Sequence, residues 1–234
     1  MKKVLKIRRQ ASPEDKPYDI SYIYETDVES ATVATALMEI SGELDLAWEH
    51  SCLQKKCGAC AMVINGRPAL ACDTRLSDCR QDVITIEPLR KFPVIKDLLV
   101  DRSVVAEKSR EMKAYLSEAV TATDEAEDIE SLERIEETVY EASRCIQCGL
   151  CLEICPNYYP KGAFAGMAGM VPLAKVLARE VSEESIRTYE KNVYEGCGKS
   201  LACRKICPAG LDMELLLSKN NRNLFRRKKG RKKQ

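Results

Sequence analysis

The first hundred residues contain short runs in which hydrophobic and polar side chains alternate, as they do in β-strands with one buried face. Near the N-terminus, "VLKIRR" and "YDISYIYE" alternate in this way, and the polar stretch "SPEDKP" between them has the composition of a turn. The pattern therefore predicts a hairpin of two strands at the start of the chain.

The next pattern has a helical period. Apolar side chains recur at three- and four-residue spacing at Val33, Ala36, Leu37 and Ile40. Thr32 stands where a hydroxyl can cap the first turn, and Gly42 stands where a glycine can end the helix. We expect a short amphipathic helix that crosses one face of the sheet.

A tight turn and further strands follow. In "AMVINGRPALAC" the dipeptide Asn65-Gly66 separates two apolar runs, which predicts a type I′ hairpin, and "VITIEP" has the composition of a last strand. Strand, strand, helix, hairpin and strand is the element order of a small β-grasp, ferredoxin-like sheet.

From Lys108 onward the hydrophobic period becomes helical. "REMKAYLSEAV" and "SLERIEETVYEASRC" both show this spacing, "TATDEAEDIE" between them predicts an exposed loop, and another helix is expected near Leu173 to Glu180 after a run rich in Gly and Pro. The sequence thus predicts an α+β chain, with a β-grasp domain over residues 1–101 and an all-α, bacterial-ferredoxin-like domain over residues 102–234.

Composition limits the kinds of site that the chain can hold. The chain has 234 residues, and its 45% hydrophobic and 31% charged residues are ordinary for a soluble globular protein. No apolar run reaches the ~20 residues of a membrane-spanning helix, and the N-terminus shows no hydrophobic signal segment. The 12 cysteines are then expected to be reduced, because the cytosol disfavours disulfides, and metal ligation is the leading explanation for them.

Charge is distributed unevenly. The net charge is +1, but residues 107–141 are rich in Asp and Glu, whereas the tail, residues 219–234, has basic residues and no acidic ones. Such a tail suits either a solvated end or contact with anionic lipid headgroups at the cytoplasmic face of a membrane. Nucleic-acid binding is not favoured, since no aromatic-rich or fold-level signature accompanies the charge.

The first of three cysteine groups matches plant-type 2Fe-2S ligation. The spacing C-x4-C-x2-C, with a fourth cysteine across the hairpin, selects Cys52, Cys57, Cys60 and Cys72. A binuclear cluster needs two thiolates for each iron, and a small loop with Gly58 and Ala59 can wrap it. The competing interpretation is a zinc knuckle, although structural zinc sites usually pair two short C-x2-C knuckles.

The second group follows the pattern C-x2-C-x2-C-x3-C-P, with cysteines at Cys145, Cys148, Cys151 and Cys155. In two-cluster ferredoxins, the first three cysteines of such a run bind one cluster, and the fourth binds the other. We therefore expect Cys155 to bind a different cluster from its three neighbours.

The third group repeats this pattern with Ser200 at the position of one cysteine, and its members are Cys197, Cys203 and Cys207. By reciprocity, Cys207 completes a 4Fe-4S site with Cys145, Cys148 and Cys151, which leaves Cys155, Cys197 and Cys203 for a second cluster. Three thiolates hold three irons, and a serine oxygen is a harder ligand than sulfur, so the set favours a 3Fe-4S cluster. The alternative interpretation is a 4Fe-4S cluster in which Ser200 or water binds one iron.

Together these groups resemble the iron-sulfur subunit of succinate dehydrogenase and fumarate reductase. "SCLQKKCGACAMVINGRPALAC", "IEPLRKFPVIKDLLVD" and "CGLCLEICPN" are similar to that family's characteristic stretches, and the resemblance covers nearly the whole chain. It implies a peripheral subunit at the cytoplasmic face of the cell membrane, without catalytic residues of its own. It also implies that electrons pass between the FAD of a partner flavoprotein and a quinone at a membrane-anchor subunit, through 2Fe-2S, 4Fe-4S and 3Fe-4S clusters.

The chain departs from this family on the quinone side. Ubiquinone-using members have a tryptophan shortly after the Cys-Pro pair, where this chain has Tyr158 and Tyr159, and a histidine where Gly198 stands. Menaquinone or a soluble acceptor fits at least as well. The residues that the resemblance places on the possible quinone side are Pro156, Tyr158, Tyr159, Gly198 and Ser200.

Two residues remain outside the ligand sets. His50, the only histidine, is interpreted as a surface residue or as support for a ligand, and Cys79 as a buried thiol. Two other functions stay open: a subunit of a related flavin-linked reductase with a soluble or thiol donor, and a zinc-stabilised interaction module without a redox role.

Overall fold

The computed structural model describes residues 1–115 and 129–231, and the chain divides into two compact units. The first unit comprises Met1–Arg102 together with Cys148–Ile154, and the second comprises Ser103–Gln147 and Cys155–Gln234. The short segment that holds Cys148 and Cys151 thus belongs to the N-terminal unit, although it lies far along the chain.

The first unit is built on a five-stranded mixed sheet. Strands β1 (Lys2–Arg9) and β2 (Tyr18–Glu25) form the predicted antiparallel hairpin, and β3 (Ala61–Ile64) and β4 (Arg67–Leu70) form the second one. Strand β5 (Val83–Glu87) pairs in parallel with β1 and antiparallel with β3, which gives the strand order β2-β1-β5-β3-β4. This sheet is the predicted ferredoxin-like class.

The hairpin between β3 and β4 turns on Asn65 and Gly66, as predicted. Both residues have positive φ, 49° and 75°, which a type I′ turn requires at its two central positions. The Asn65 side-chain oxygen also accepts a hydrogen bond from the backbone N of Thr85 at 2.9 Å, so the turn is held against β5.

Helix α1 (Val33–Leu44) begins where the sequence predicts. The Thr32 hydroxyl accepts from the backbone N of Thr35 in a capping box. The predicted end at Gly42 is wrong: the helix continues to Leu44, and Asp45 ends it in the left-handed conformation with φ 45°. A Cβ at Gly42 would meet nothing within 4 Å, so no packing or turn requires glycine at that position.

A second, two-stranded sheet closes the first unit, with β6 (Val94–Lys96) antiparallel to β7 (Leu99–Val100). Asp97 lies between the two strands and is 1% exposed. Its carboxylate accepts hydrogen bonds from Arg9 Nε (2.8 Å), Gln10 N (3.1 Å) and Ala47 N (3.1 Å). These donors offset the cost of burying the charge and join three separate segments of the chain.

The described part of the second unit is helical and contains no strand. Its helices are α2 (Ser103–Glu111), α3 (Ile129–Ser143), α5 (Gly166–Arg179), α6 (Glu183–Tyr189), α7 (Ala202–Ile206) and α8 (Met213–Arg231), whereas the short α4 (Leu150–Ile154) belongs to the first unit. A π-helical turn, Glu190–Tyr194, extends α6. Helix α5 is buried over nearly its whole length and packs against α2, α3, α6 and α8.

Two helix predictions and one loop prediction need correction. The helix expected at Leu173 begins seven residues earlier, at Gly166, and Pro172 lies inside it. The helix expected over "REMKAYLSEAV" is wrong at residues 112–115, because α2 ends at Glu111. Residues 116–128, with the rest of that prediction and most of the predicted acidic loop, lie outside the described residues. Ile129 and Glu130, which that loop was to include, are helical.

No helix in the described parts of the chain combines the length and the hydrophobicity needed to cross a membrane.

Candidate iron-sulfur sites

The loop before β3 directs backbone amides towards cysteine sulfurs. The Sγ of Cys52 accepts hydrogen bonds from the backbone N of Gln54 at 3.3 Å and of Lys56 at 3.4 Å, and the Sγ of Cys72 accepts one from the backbone N of Lys55 at 3.2 Å. Such donors favour the thiolate over the thiol. Because hydrogen bonds to ligand sulfurs are typical of iron-sulfur sites, this loop fits a thiolate-bound cluster.

The loop owes its shape to left-handed backbone and to one distant side chain. Leu53, Lys55 and Gly58 have φ of 53°, 61° and 74°. The guanidinium of Arg102 donates to the carbonyl of Gly58 at 2.7 Å and also pairs with Glu49. Arg102 has no signal in the sequence pattern, since it is 44 residues away from the glycine that it contacts.

The four thiols of the first group fall into two pairs. Amide donation, first from Gln54, and a hydrogen bond with Cys57 lower the pKa of Cys52 to about 7. Burial raises the pKa of Cys60 to about 12, and the neighbouring Cys72 thiol adds to the shift. A binuclear cluster would need two such pairs, with two thiolates for each iron.

The segment that carries Cys148 and Cys151 packs closely within the first unit. Gly149 has φ 83°, and a Cβ at this position would lie 2.8 Å from Cζ of Phe92, so only glycine fits there. The carboxylate of Glu153, which is 8% exposed, accepts from the backbone N of Lys91 at 2.9 Å. Cys148 is buried and Cys151 half-buried.

Within the second unit, the start of the second cysteine group meets the end of the third. The guanidinium of Arg144, next to Cys145, donates to the carbonyl of Ala209, two residues after Cys207. Burial raises the pKa of Cys145, and the negative charge of Cys207 raises it further. The structure therefore brings Cys145 and Cys207 together.

The end of the second group meets the start of the third in the same way. The side-chain Nδ2 of Asn157, two residues after Cys155, donates to the carbonyl of Gly196 at 2.8 Å. Burial raises the pKa of Cys203 to about 11, and the charges of Cys155 and Cys197 add to this shift. The three thiols assigned to the second cluster thus influence one another.

The residues expected on the quinone side differ in exposure. Pro156, Tyr159, Gly198 and Ser200 are exposed, whereas the Tyr158 side chain is 0% exposed. The Ser200 hydroxyl lies 3.5 Å from the backbone N of Ala202 at the start of α7 and accepts its hydrogen bond. Tyr158 is therefore part of the core, and the exposed members of the set form two short segments after Cys155 and Cys197.

The two residues outside the ligand sets make contacts of their own. His50 is exposed and stacks on Trp48, with ring centroids 4.4 Å apart. Cys79 is buried, and its thiol donates to the carbonyl of Arg75 at 3.6 Å. Among the described residues, no three His, Cys, Asp or Glu side chains gather around one point as a single metal ion would require.

Comparison with known proteins agrees with this arrangement. Residues 4–107 match the family described as a 2Fe-2S iron-sulfur cluster binding domain, and residues 141–211 match the 4Fe-4S dicluster domain. These two matches confirm the prediction of a 2Fe-2S domain followed by a 4Fe-4S domain.

Relatives that align with most of the chain are also named as iron-sulfur proteins. The chain is 33% identical over 233 residues to the succinate dehydrogenase iron-sulfur subunit of Bacillus subtilis. This alignment covers 93% of this chain and 90% of that protein. It is 33% identical over 179 residues to the fumarate reductase iron-sulfur subunit of Wolinella succinogenes, over 73% of this chain and 74% of that protein. It is also similar to a chain of the Mycobacterium smegmatis Sdh1 complex in the apo form, with a TM-score of 0.78, 25% identity and 96% of both chains covered. The chain therefore belongs to the family of succinate dehydrogenase and fumarate reductase iron-sulfur subunits.

Proposed function

We propose that this chain relays electrons between the flavin of a partner flavoprotein and a quinone at a membrane anchor, as a peripheral subunit at the cytoplasmic face of the membrane. Its electron carriers are a 2Fe-2S, a 4Fe-4S and a 3Fe-4S cluster. The substrate chemistry on succinate or fumarate belongs to the flavoprotein. Relatives named as subunits of both enzymes support this assignment.

The observation that carries the proposal is the crossed arrangement of the second and third cysteine groups. The hydrogen bond from Arg144 to Ala209 links the segments of Cys145 and Cys207, and the one from Asn157 to Gly196 links those of Cys155 and Cys197. Two-cluster ferredoxins exchange their outer thiolates in this way.

On this basis the ligand sets follow the sequence prediction. Cys52, Cys57, Cys60 and Cys72 would hold the 2Fe-2S cluster; Cys145, Cys148, Cys151 and Cys207 would hold the 4Fe-4S cluster; and Cys155, Cys197 and Cys203 would hold the 3Fe-4S cluster. When bound, these clusters accept and release single electrons, which no side chain of the chain does by itself.

The chain's own residues position the thiolates and limit the access of water to them. Cys60, Cys148 and Cys203 are 2%, 8% and 9% exposed, so each set has one thiol in a nearly dry environment. Amide donors at Cys52 and Cys72 withdraw charge from their sulfurs, which raises a cluster's reduction potential, whereas burial of the cluster's negative charge lowers it. At the proposed 2Fe-2S site the two effects oppose each other.

On the acceptor side, the exposed residues Pro156, Tyr159, Gly198 and Ser200 flank the ligands of the proposed 3Fe-4S cluster. None of these four residues carries a carboxyl, amino or imidazole group. We propose menaquinone as the acceptor, with protons supplied by the anchor subunit or by water.

Anaerobic purification of the chain with its partner subunits tests the proposal. We expect bound flavin in the complex, acid-labile sulfide in this chain, and three distinct electron paramagnetic resonance signals during graded reduction, including one from the oxidised three-iron cluster. A colourless chain that contains zinc and no sulfide would overturn the assignment. It would favour the zinc-stabilised interaction module instead. A flavoprotein partner without activity on succinate or fumarate would instead identify a related flavin-linked reductase.

A further inference from the structure

A cavity of about 250 Å³ lies between three helices of the second unit, away from the cysteine groups. Helix α3 contributes Arg134, Ile135 and Thr138 to its lining, the end of α5 contributes Leu177 and Ala178, Val181 follows that helix, and α8 contributes Lys219, Asn220, Arg222, Asn223 and Arg226. Four of these side chains are cationic and none is acidic, so an anion is the ligand that this lining would favour.

Two of the cations are not neutralised. Lys219 is paired with Glu137 at 2.5 Å. Arg222 and Arg226, by contrast, are exposed and form no ion pair with any residue that the structure describes. They are four residues apart on α8, where like charges face each other and repel. An anion held between them would remove this repulsion.

The other lining groups do not compete for that anion. Asn223 donates its side-chain Nδ2 to the carbonyl of Leu177 at 3.3 Å, and Asn220 donates to the Sδ of Met170 at 3.4 Å. The floor of the cavity is apolar, with Leu177 buried and Val181 56% exposed at its edge. A cationic rim beside exposed apolar surface suits an amphiphile better than a fully hydrated ion.

The sequence beyond Arg226 extends the positive charge. Residues 226–233 read "RRKKGRKK", and no acidic residue occurs from Lys219 to Gln234. Clusters of this kind favour anionic membrane surfaces, to which each Lys or Arg near the surface adds a similar increment of affinity.

We propose that the end of α8, with this cavity, binds the headgroup of an anionic phospholipid at the membrane surface. Arg222 and Arg226 contact the phosphate, and Val181 and the cavity floor contact the start of the acyl chains. The interaction attaches this subunit directly to the bilayer, in addition to any contact with an anchor subunit. It does not depend on electron transfer, so either proposal can fail without the other.

Co-sedimentation of the cluster-loaded full chain with lipid vesicles tests the proposal. We expect binding to vesicles of phosphatidylglycerol in phosphatidylcholine, little binding to phosphatidylcholine alone, and weaker binding as salt is raised. The variant R222Q/R226Q should bind the anionic vesicles about 30-fold more weakly, since each cation at the surface contributes about fivefold. Its thermal unfolding temperature should not fall, because neither arginine has a partner to lose and their mutual repulsion is removed.

The matched control is K16Q/R80Q, which removes the same charge from two exposed cations of the first unit. We expect it to bind vesicles as the wild type does. Equal losses in both variants would show attraction by net charge alone and would overturn the site. Loss of inorganic-phosphate binding in R222Q/R226Q without any loss of vesicle binding would also overturn the lipid assignment, in favour of a soluble anion.

Discussion

The side-chain amide of Asn157 lies directly against Gly198. A Cβ on residue 198 would stand 2.8 Å from Nδ2 of Asn157, and the same Nδ2 donates to the carbonyl of Gly196 at 2.8 Å. The amide therefore fills the space that a side chain at position 198 would need, while it links the segment after Cys155 to the one before Cys197. A side chain at position 198 would therefore have to displace this amide.

Substitution of Gly198 by Ala should disturb the link. The new methyl group would displace the Asn157 amide and weaken its hydrogen bond, at a cost of about 1–2 kcal/mol in the free energy of unfolding. We expect a weaker or broader oxidised-state signal from the three-iron cluster in electron paramagnetic resonance, with the 2Fe-2S signal unchanged.

Gly42→Ala is the control for that substitution. A Cβ at residue 42 meets nothing within 4 Å, and the position is inside α1. The alanine should stabilise the chain by about 0.5–1 kcal/mol, because it restricts the unfolded backbone. A Gly198→Ala variant as stable as this control would contradict the packing argument.

Asn157 and Gly198 should also be coupled in a double-mutant cycle. Asn157→Ala removes the hydrogen bond to Gly196 and empties the space against residue 198, so Gly198→Ala should cost much less in that background than in the wild type. Urea unfolding of the four proteins measures the coupling. Strictly additive changes would show that the two residues act independently.

Ser200→Cys should convert the three-iron site into a four-iron site. The substitution restores the missing sulfur of the C-x2-C-x2-C-x3-C-P pattern. We expect the oxidised-state three-iron signal to disappear and a reduced-state four-iron signal to appear, with a rise in iron content. Ser200→Ala should keep the three-iron signal, and its persistence in the cysteine variant would argue against the proposed ligand frame.

Arg102 should stabilise the loop of the 2Fe-2S site. Arg102→Gln removes a charged hydrogen bond to the Gly58 carbonyl, which typically costs about 1.5–3 kcal/mol, and should accelerate the loss of the visible 2Fe-2S absorbance in urea. Glu49→Gln removes only the half-exposed ion pair of the same arginine and should cost under about 1 kcal/mol. Equal effects of the two changes would assign the role to the ion pair instead.

The thiols of the first group should differ in reactivity once the clusters are removed from the full chain. The pKa of Cys52 is lowered to about 7, from about 8.5 for an ordinary thiol, so Cys52 is largely thiolate at pH 8 and loses its reactivity as the pH falls through 7. Cys60, whose pKa is raised to about 12, should remain unmodified throughout. Alkylation followed by mass spectrometry measures the modification rates of Cys52 and Cys60. Equal rates would contradict the difference in pKa between the two thiols.

Local patterns were sufficient for much of the first unit because each element there has its own signal. Thr32 caps α1, and Asn65-Gly66 supplies the positive φ of the turn. The second unit is less predictable because its glycines serve helix packing. A Cβ at Gly169 would lie 2.7 Å from the Cβ of Ala165 and 2.9 Å from Cγ of Met112. The glycine therefore permits close packing of α5 against the residue that follows α2, in a stretch where the glycines instead suggested that no helix had begun.

The cysteine spacing predicts the crossed grouping, but not the residues that hold it in place. Arg144 and Ala209 are 65 residues apart, and Asn157 and Gly196 are 39 apart. Arginine and asparagine in loops have no periodic pattern, and their partners are backbone carbonyls, which every residue carries. Only the folded arrangement identifies such contacts.

The inner position of β1 in the sheet affects the order of events during synthesis. This strand leaves the ribosome well before its parallel partner β5, which ends only at Glu87. All four cysteines from Cys52 to Cys72 emerge between the two strands, and non-local pairings of this kind form slowly. The nascent chain therefore presents these thiols to metal ions and oxidants before the sheet that shelters Cys60 can close.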